Sequence, residues 1–291
     1  MFSGSIVALV TPMHSNGDID YSGLAQLINF HRDSGTKGVV IAGTTGESAT
    51  LTRSEHVTLI ERACELSQDL PVIAGTGSNS TAQTLGLSQT VDDLPISGFL
   101  IVTPYYNKPT QEGMYRHFST IAEGVNKPVT LYNVPSRTGV DLEPETVIRL
   151  SQHGNIIGIK EATGELERVQ LLREGCHADF CLLSGDDGTS CEFILSGGDG
   201  VISVTANIAA SQMQQLCDFA CSGDREGATK TDGLLQELHQ VLFIESNPIP
   251  VKWALNQMGL ISNGIRLPLT ALVSNHHEVI LTAIKKAGIT W

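Results

Sequence analysis

The chain has 291 residues, of which 41% are hydrophobic and 17% charged, so it can bury a sizeable core and lacks the polar excess of disordered segments. A formal net charge of −13 argues against nucleic acid and anionic membrane surfaces as partners, because both are held through basic patches. It leaves an anionic small substrate open, since a few local cations outweigh a distant field.

The opening MFSGSIVALVTPM has no basic n-region, so it reads as a first strand and not as a secretory signal. No stretch approaches the roughly 18 apolar residues of a membrane span. Short apolar, β-rich runs then recur at Ile6–Val10, Val39–Ala42, Val72–Ala74, Phe99–Val102, Val129–Tyr132, Ile156–Ile159, Cys181–Leu183 and Val201–Val204. Most are continuous and not alternating in their apolar character, as suits parallel strands covered on both faces. Helical periodicity falls between them, with Leu24, Leu27 and Ile28 in one stretch and Met114, Phe118, Ile121, Ala122 and Val125 in another. Asp20, Ser54 and Thr110 are expected to cap helices.

Eight such units predict a closed (β/α)8 TIM barrel over residues 1–222, with a small C-terminal helical region over 223–291. The rival is an open dinucleotide-binding sheet. Its first strand should enter a G-x-G-x-x-G turn, whereas here it enters Thr11-Pro12-Met13. The C-terminal region carries helical patterns around Leu234–Leu242, Pro250–Met258 and His277–Lys286. Six cysteines show no CxxC pair, and Cys217 with Cys221 makes only half of a metal-ligand set. Buried free thiols, no metal and a reducing cytoplasm are expected.

Barrel active sites lie at the carboxyl ends of the strands. Lys160 closes the apolar run IIGIK, which places its amine at the barrel mouth. An amine kept from water there is favoured in its neutral, nucleophilic form. The alternative is a structural ion pair with Glu161 or Glu47. Tyr132 and Tyr106 offer phenols at strand ends, with Thr44 able to join them by hydrogen bonds, or else they pack the rim. Gly43-Thr44-Thr45-Gly46 is a tight turn, and it lacks the Lys-Ser/Thr ending of a phosphate-binding loop.

GTTGES, VIAGTG, TPYYNKP, YNVPSRTG, IKEATG, LLSGDD, GVISVTAN and NPIPVKWAL, in this order, resemble the dihydrodipicolinate synthase family over essentially the whole chain. The resemblance implies a class I aldolase mechanism in diaminopimelate and lysine biosynthesis. Pyruvate and L-aspartate 4-semialdehyde would be the substrates and 4-hydroxy-tetrahydrodipicolinate the product. Lys160 would form the pyruvate imine, and Tyr132 would carry protons with Thr44 and with a Tyr106 donated across a dimer interface. Thr45 and the backbone at Gly185 and Ile202 would hold pyruvate, and Arg137 would take the second substrate's carboxylate. No cofactor is implied, and a homotetramer built as a dimer of dimers is. A lysine-feedback pocket would comprise Ser48, Ala49, Arg53, His56, Asn79, Gln83 and Tyr105. Lysine-inhibited relatives carry glutamate where this chain has Gln83, and commonly histidine where it has Arg53, which predicts weak inhibition. N-acetylneuraminate lyase and keto-deoxy sugar acid aldolases share the lysine and YNxP, but a sugar acid needs a row of hydroxyl partners in place of one carboxylate clamp. A barrel that binds without turnover would have lost the lysine or the phenols.

Overall fold

The structure is a computed structural model that describes residues 2–290. Eight parallel strands close on themselves: β1 (Gly4–Ala8), β2 (Gly38–Ile41), β3 (Val72–Gly75), β4 (Gly98–Val102), β5 (Val129–Asn133), β6 (Ile156–Glu161), β7 (Cys181–Ser184) and β8 (Gly200–Ser203), with β8 pairing back onto β1. Each strand feeds two cores, because successive side chains point to opposite faces. Ile6, Ala8, Val40, Ile73, Leu100, Leu183 and Ile202 fill the barrel interior, whereas Val7, Val39, Ile41, Phe99, Ile101 and Ile159 face the helices. This double covering is the physical reason for runs without polar alternation.

The first strand begins two residues earlier than its apolar run. Gly4 and Ser5 pair with Gly200 and Val201, and a Cβ on Gly200 would lie 2.2 Å from the Gly4 carbonyl oxygen. Closure of the barrel therefore rests on a glycine contact that hydrophobicity does not report.

Around the barrel run α1 (Tyr21–Asp33), α2 (Arg53–Ser67), α3 (Thr81–Val91), α4 (Gln111–Glu123), the single turn α5 (Pro135–Thr138), α6 (Pro144–Ser151), α7 (Glu167–Gly175), α8 (Ser190–Leu195) and α9 (Ala210–Cys221). Asp20 caps α1 through the Gly23 N–H, and Thr110 caps α4 through that of Gly113. The expectation at Ser54 is corrected, because Thr52 caps α2 and forms a reciprocal capping box with Glu55. α4 turns Met114, Phe118, Ile121 and Ala122 inward. Burial of a side chain such as Phe118 contributes roughly 1.5–3 kcal/mol.

The C-terminal region forms α10 (Arg225–Val241), α11 (Ile249–Gln257) and α12 (His277–Lys286), with α10 packed on both α9 and α12. No helix is long and apolar enough to cross a membrane, among the described residues. Cys217 is a buried free thiol on α9, but Cys221, expected to be buried, is exposed at the end of that helix.

Candidate active site

Strands β5 and β6 are in register with Tyr132 opposite Lys160. Alternation along β6 sends Ile159 to the helix layer, Lys160 into the barrel and Glu161 outward again. The Lys160 side chain is enclosed, at 5% exposure, and its Nζ lies 4.3 Å from the centroid of the Tyr132 ring. Gly185, which follows β7, makes room for its stem. A Cβ there would come within 2.9 Å of the Lys160 Cε and 2.6 Å of the Ala162 Cβ.

Neither carboxylate considered as a structural partner reaches the amine. Glu161 accepts from the Thr163 N–H at 2.8 Å and the Asn133 Nδ2 at 3.1 Å, and it faces Arg168 at 3.7 Å. Burial pushes its carboxyl pKa up against those contacts. Glu47 is paired instead with Lys252, at 2.5 Å. Lys160 is thus a buried amine with no ion-pair partner among the described residues, and a lysine kept only for stability would have one.

An open cavity of about 690 Å³ lies above Lys160, lined by Thr44, Thr45, Tyr132, Val134, Ser136, Arg137, Ala162, Gly185, Asp186 and Val204. The turn after β2 supplies the two threonines. It is closed by bonds from the Gly46 and Ser48 N–H groups to the Gly43 carbonyl and from Glu47 to Thr44. The N–H groups of Thr44 and Thr45 take no part in these bonds and form a pair of donors beside the cavity. Arg137 sits on the one-turn helix after β5 and donates to the Asn247 carbonyl at 3.4 Å.

Three expected participants stand differently. Ile202 is buried inside the barrel and is not part of the cavity wall. Gly185 lines the cavity, but its N–H is occupied by the Glu161 carbonyl at 2.7 Å, so its use lies in its missing side chain. Tyr106 is 89% exposed and points away from its own chain's interior. It has φ +73° in a three-residue turn closed by Asn107 N–H to the Tyr105 carbonyl at 2.9 Å, a conformation that a bulky residue rarely adopts. Thr44 and Tyr132 both line the cavity, with no hydrogen bond between their side chains.

The acid pair after β7 is explained by its bonds. Asp186 caps the following turn through the Thr189 N–H and hydroxyl, and Asp187 accepts from the Val204 and Thr205 N–H groups, both at 2.9 Å.

Residues 243–247 complete the cavity rim. Asn247 is the functional residue that sequence reasoning missed. Its Nδ2 donates to the Thr45 hydroxyl at 2.9 Å, and its Oδ1 is buried without a partner. The signal for it in the sequence was the polar start of NPIPVKWAL.

The residues expected to line a feedback pocket lie near α2 and α3. Ser48 and Ala49 form a 3-10 turn after Glu47, and Gln83 is in the first turn of α3. Arg53 Nη2 donates to the Gly86 carbonyl and the Thr90 hydroxyl, each at 2.8 Å. His56 is buried, with Nε2 2.7 Å from the Gly75 carbonyl oxygen, and desolvation lowers its pKa. The Asn79 carbonyl accepts from Asn107, and Tyr105 is 39% exposed.

Comparison with known proteins agrees along the full length. The profile of the Dihydrodipicolinate synthetase family matches residues 1–287. A 4-hydroxy-tetrahydrodipicolinate synthase from Methylococcus capsulatus is 53% identical over 290 residues, covering 99% of this chain and 100% of the relative. Among solved structures, the chloride-inhibited dihydrodipicolinate synthase from Acinetobacter baumannii complexed with pyruvate superposes with a TM-score of 0.98 at 48% identity, over 100% of both chains. A monomeric dihydrodipicolinate synthase variant reaches 0.96 at 40% identity, covering 99% of this chain and 98% of its own.

Proposed function

The chain belongs to the dihydrodipicolinate synthetase family, and we propose that it joins pyruvate to L-aspartate 4-semialdehyde through an imine on Lys160, giving 4-hydroxy-tetrahydrodipicolinate. It is a lyase of that family. The observation that carries the assignment of Lys160 is its burial without an ionic partner at the floor of the cavity, against the ring of Tyr132.

The neutral amine attacks the keto carbon of pyruvate, and water leaves as the imine forms. Loss of a methyl proton gives the enamine, for which the protonated imine is the electron sink, so no cofactor is needed. The enamine carbon attacks the aldehyde carbon of the second substrate, whose oxygen takes a proton. The substrate's own amine then displaces Lys160 in closing the ring. Tyr132 carries protons in these steps, relayed through Thr44 and through Tyr106 of a partner subunit. The free N–H groups of Thr44 and Thr45 and the Thr45 hydroxyl suit the pyruvate carboxylate. Arg137 at the cavity edge suits the carboxylate of the aldehyde, which a guanidinium grips with two parallel bonds.

The assembly we propose is a cytoplasmic homotetramer of two tight dimers, each barrel over residues 1–222 carrying the helical region 223–291. L-lysine would bind weakly among Ser48, Ala49, Arg53, His56, Asn79, Gln83 and Tyr105. Coupled turnover of pyruvate with aspartate semialdehyde, beside the same assay with N-acetylneuraminate, tests the reading. Turnover of the first pair is expected, and turnover of the sugar acid alone would replace the synthase by a related aldolase.

A further inference from the structure

The turn that presents Thr44 and Thr45 is bracketed by two non-glycine residues in the left-handed region, Ala42 at φ +54° and Glu47 at φ +56°. Such residues persist only where their surroundings hold them. Local bonds close the turn, and the Thr11 hydroxyl donates to its Gly46 carbonyl at 2.6 Å. The side chains of Thr45 and Glu47 are instead held from the C-terminal region, some 200 positions away. Asn247 Nδ2 donates to the Thr45 hydroxyl, and Lys252 Nζ donates to Glu47 Oε1 at 2.5 Å. The Arg266 N–H reaches Glu47 Oε2 at 3.2 Å. The Glu47 side chain is fully enclosed and that of Lys252 nearly so, at 0% and 5% exposure. A buried charge pair is weak evidence for stability, since well-packed apolar residues serve as well or better. Its directional bonds instead fix one geometry.

We propose that Lys252 is a positioning residue for pyruvate capture: through Glu47 it holds the Thr44–Thr45 turn in place, making α11 part of the catalytic apparatus. Neither Glu47 nor Lys252 lines the cavity over Lys160, so both act through the turn. The inference rests on the reading of Thr44 and Thr45 as the pyruvate-carboxylate site. Misplacing a binding group by about 1 Å can alter rates by roughly 100-fold, so loosening the turn should act strongly and on one substrate.

The experiment compares wild type, Lys252→Met and Glu47→Gln. Steady-state KM is measured separately for pyruvate and for aspartate semialdehyde, along with melting temperature and borohydride trapping of pyruvate. Trapping on the wild type comes first, and its failure would strike at the assignment of Lys160 and not at this one. Expected in the variants is a pyruvate KM raised by roughly 10-fold or more, slower trapping, and a semialdehyde KM within about twofold of wild type. Glu47→Gln keeps the side chain's size but only one acceptor oxygen, so it cannot serve both Lys252 and the Arg266 N–H, and it decides the matter if Lys252→Met does not fold. A lower melting temperature with pyruvate KM unchanged, or both KM values raised alike, would overturn the proposal.

Discussion

Lys160 and Tyr132 face each other across one parallel register, and their division of labour follows from what each can do to a proton and to a carbonyl. The amine can become covalent with pyruvate, whereas the phenol can only move protons. Tyr132→Phe should therefore leave imine formation detectable while lowering turnover by about 10²–10⁴-fold, the usual range for a general acid-base group. Borohydride trapping alongside kcat measures both, and loss of trapping with little loss of kcat would assign the roles wrongly. A second residue-scale prediction concerns feedback. Gln83 can accept a bond from an ammonium group but carries no charge, which forfeits a charge-assisted contact worth roughly 1.5–3 kcal/mol. Arg53 keeps its positive charge while its Nη2 donates to neutral groups of α3, and so adds repulsion toward a cationic ligand. Titration with L-lysine should show weak inhibition of the wild type and roughly 10-fold tighter inhibition of Gln83→Glu. Potent inhibition that is indifferent to the substitution would contradict this.

At the scale of elements, strands and helices were legible because their signals are local. Apolar runs gave β2 to β8 to within a few residues, and Asp20 and Thr110 cap the helices they precede. Thr52 was missed because Ser54 and Thr52 offer the same chemistry two positions apart, and only the reciprocal bond with Glu55 distinguishes them. Glu55 also receives both terminal nitrogens of Arg266, at 2.5 and 3.0 Å, which ties α2 to the loop before the last helix. These bonds hold its carboxyl pKa down to about 2, against an ordinary 4.5. A carboxylate with a depressed folded pKa adds stability above the unfolded value and loses it as pH falls through the folded one. Glu55→Gln retains the capping box, so its melting temperature should fall below wild type above about pH 5, with the gap closing between pH 4.5 and 2. A gap that persists unchanged at pH 2 would show that the charge is not what Arg266 recognises.

For the whole molecule, the barrel could be read from the sequence but its completion by the C-terminal region could not. Glu47 with Lys252 and Thr45 with Asn247 are 205 and 202 positions apart, and no pattern of spacing joins them. Tyr106 poses the same difficulty between chains. Its phenol is exposed on a strained turn and does not line the cavity over its own Lys160, so its proposed role needs a neighbouring subunit. Mixing inactive Tyr106→Phe and Lys160→Ala subunits should recover part of the wild-type activity, since some sites would then carry both intact groups. Mixed oligomers, verified as mixed, that recover nothing would exclude the shared site.

The covalent role of Lys160 is the claim on which the rest depends. Incubation of wild type and Lys160→Arg with pyruvate and borohydride, followed by digestion and mass analysis, tests it most directly. Arginine keeps the charge but cannot form an imine. The expected result is one reduced pyruvyl group on the wild-type peptide carrying Lys160, and none on the folded variant. Equal labelling of the variant, or labelling of the wild type at another lysine, would contradict the account.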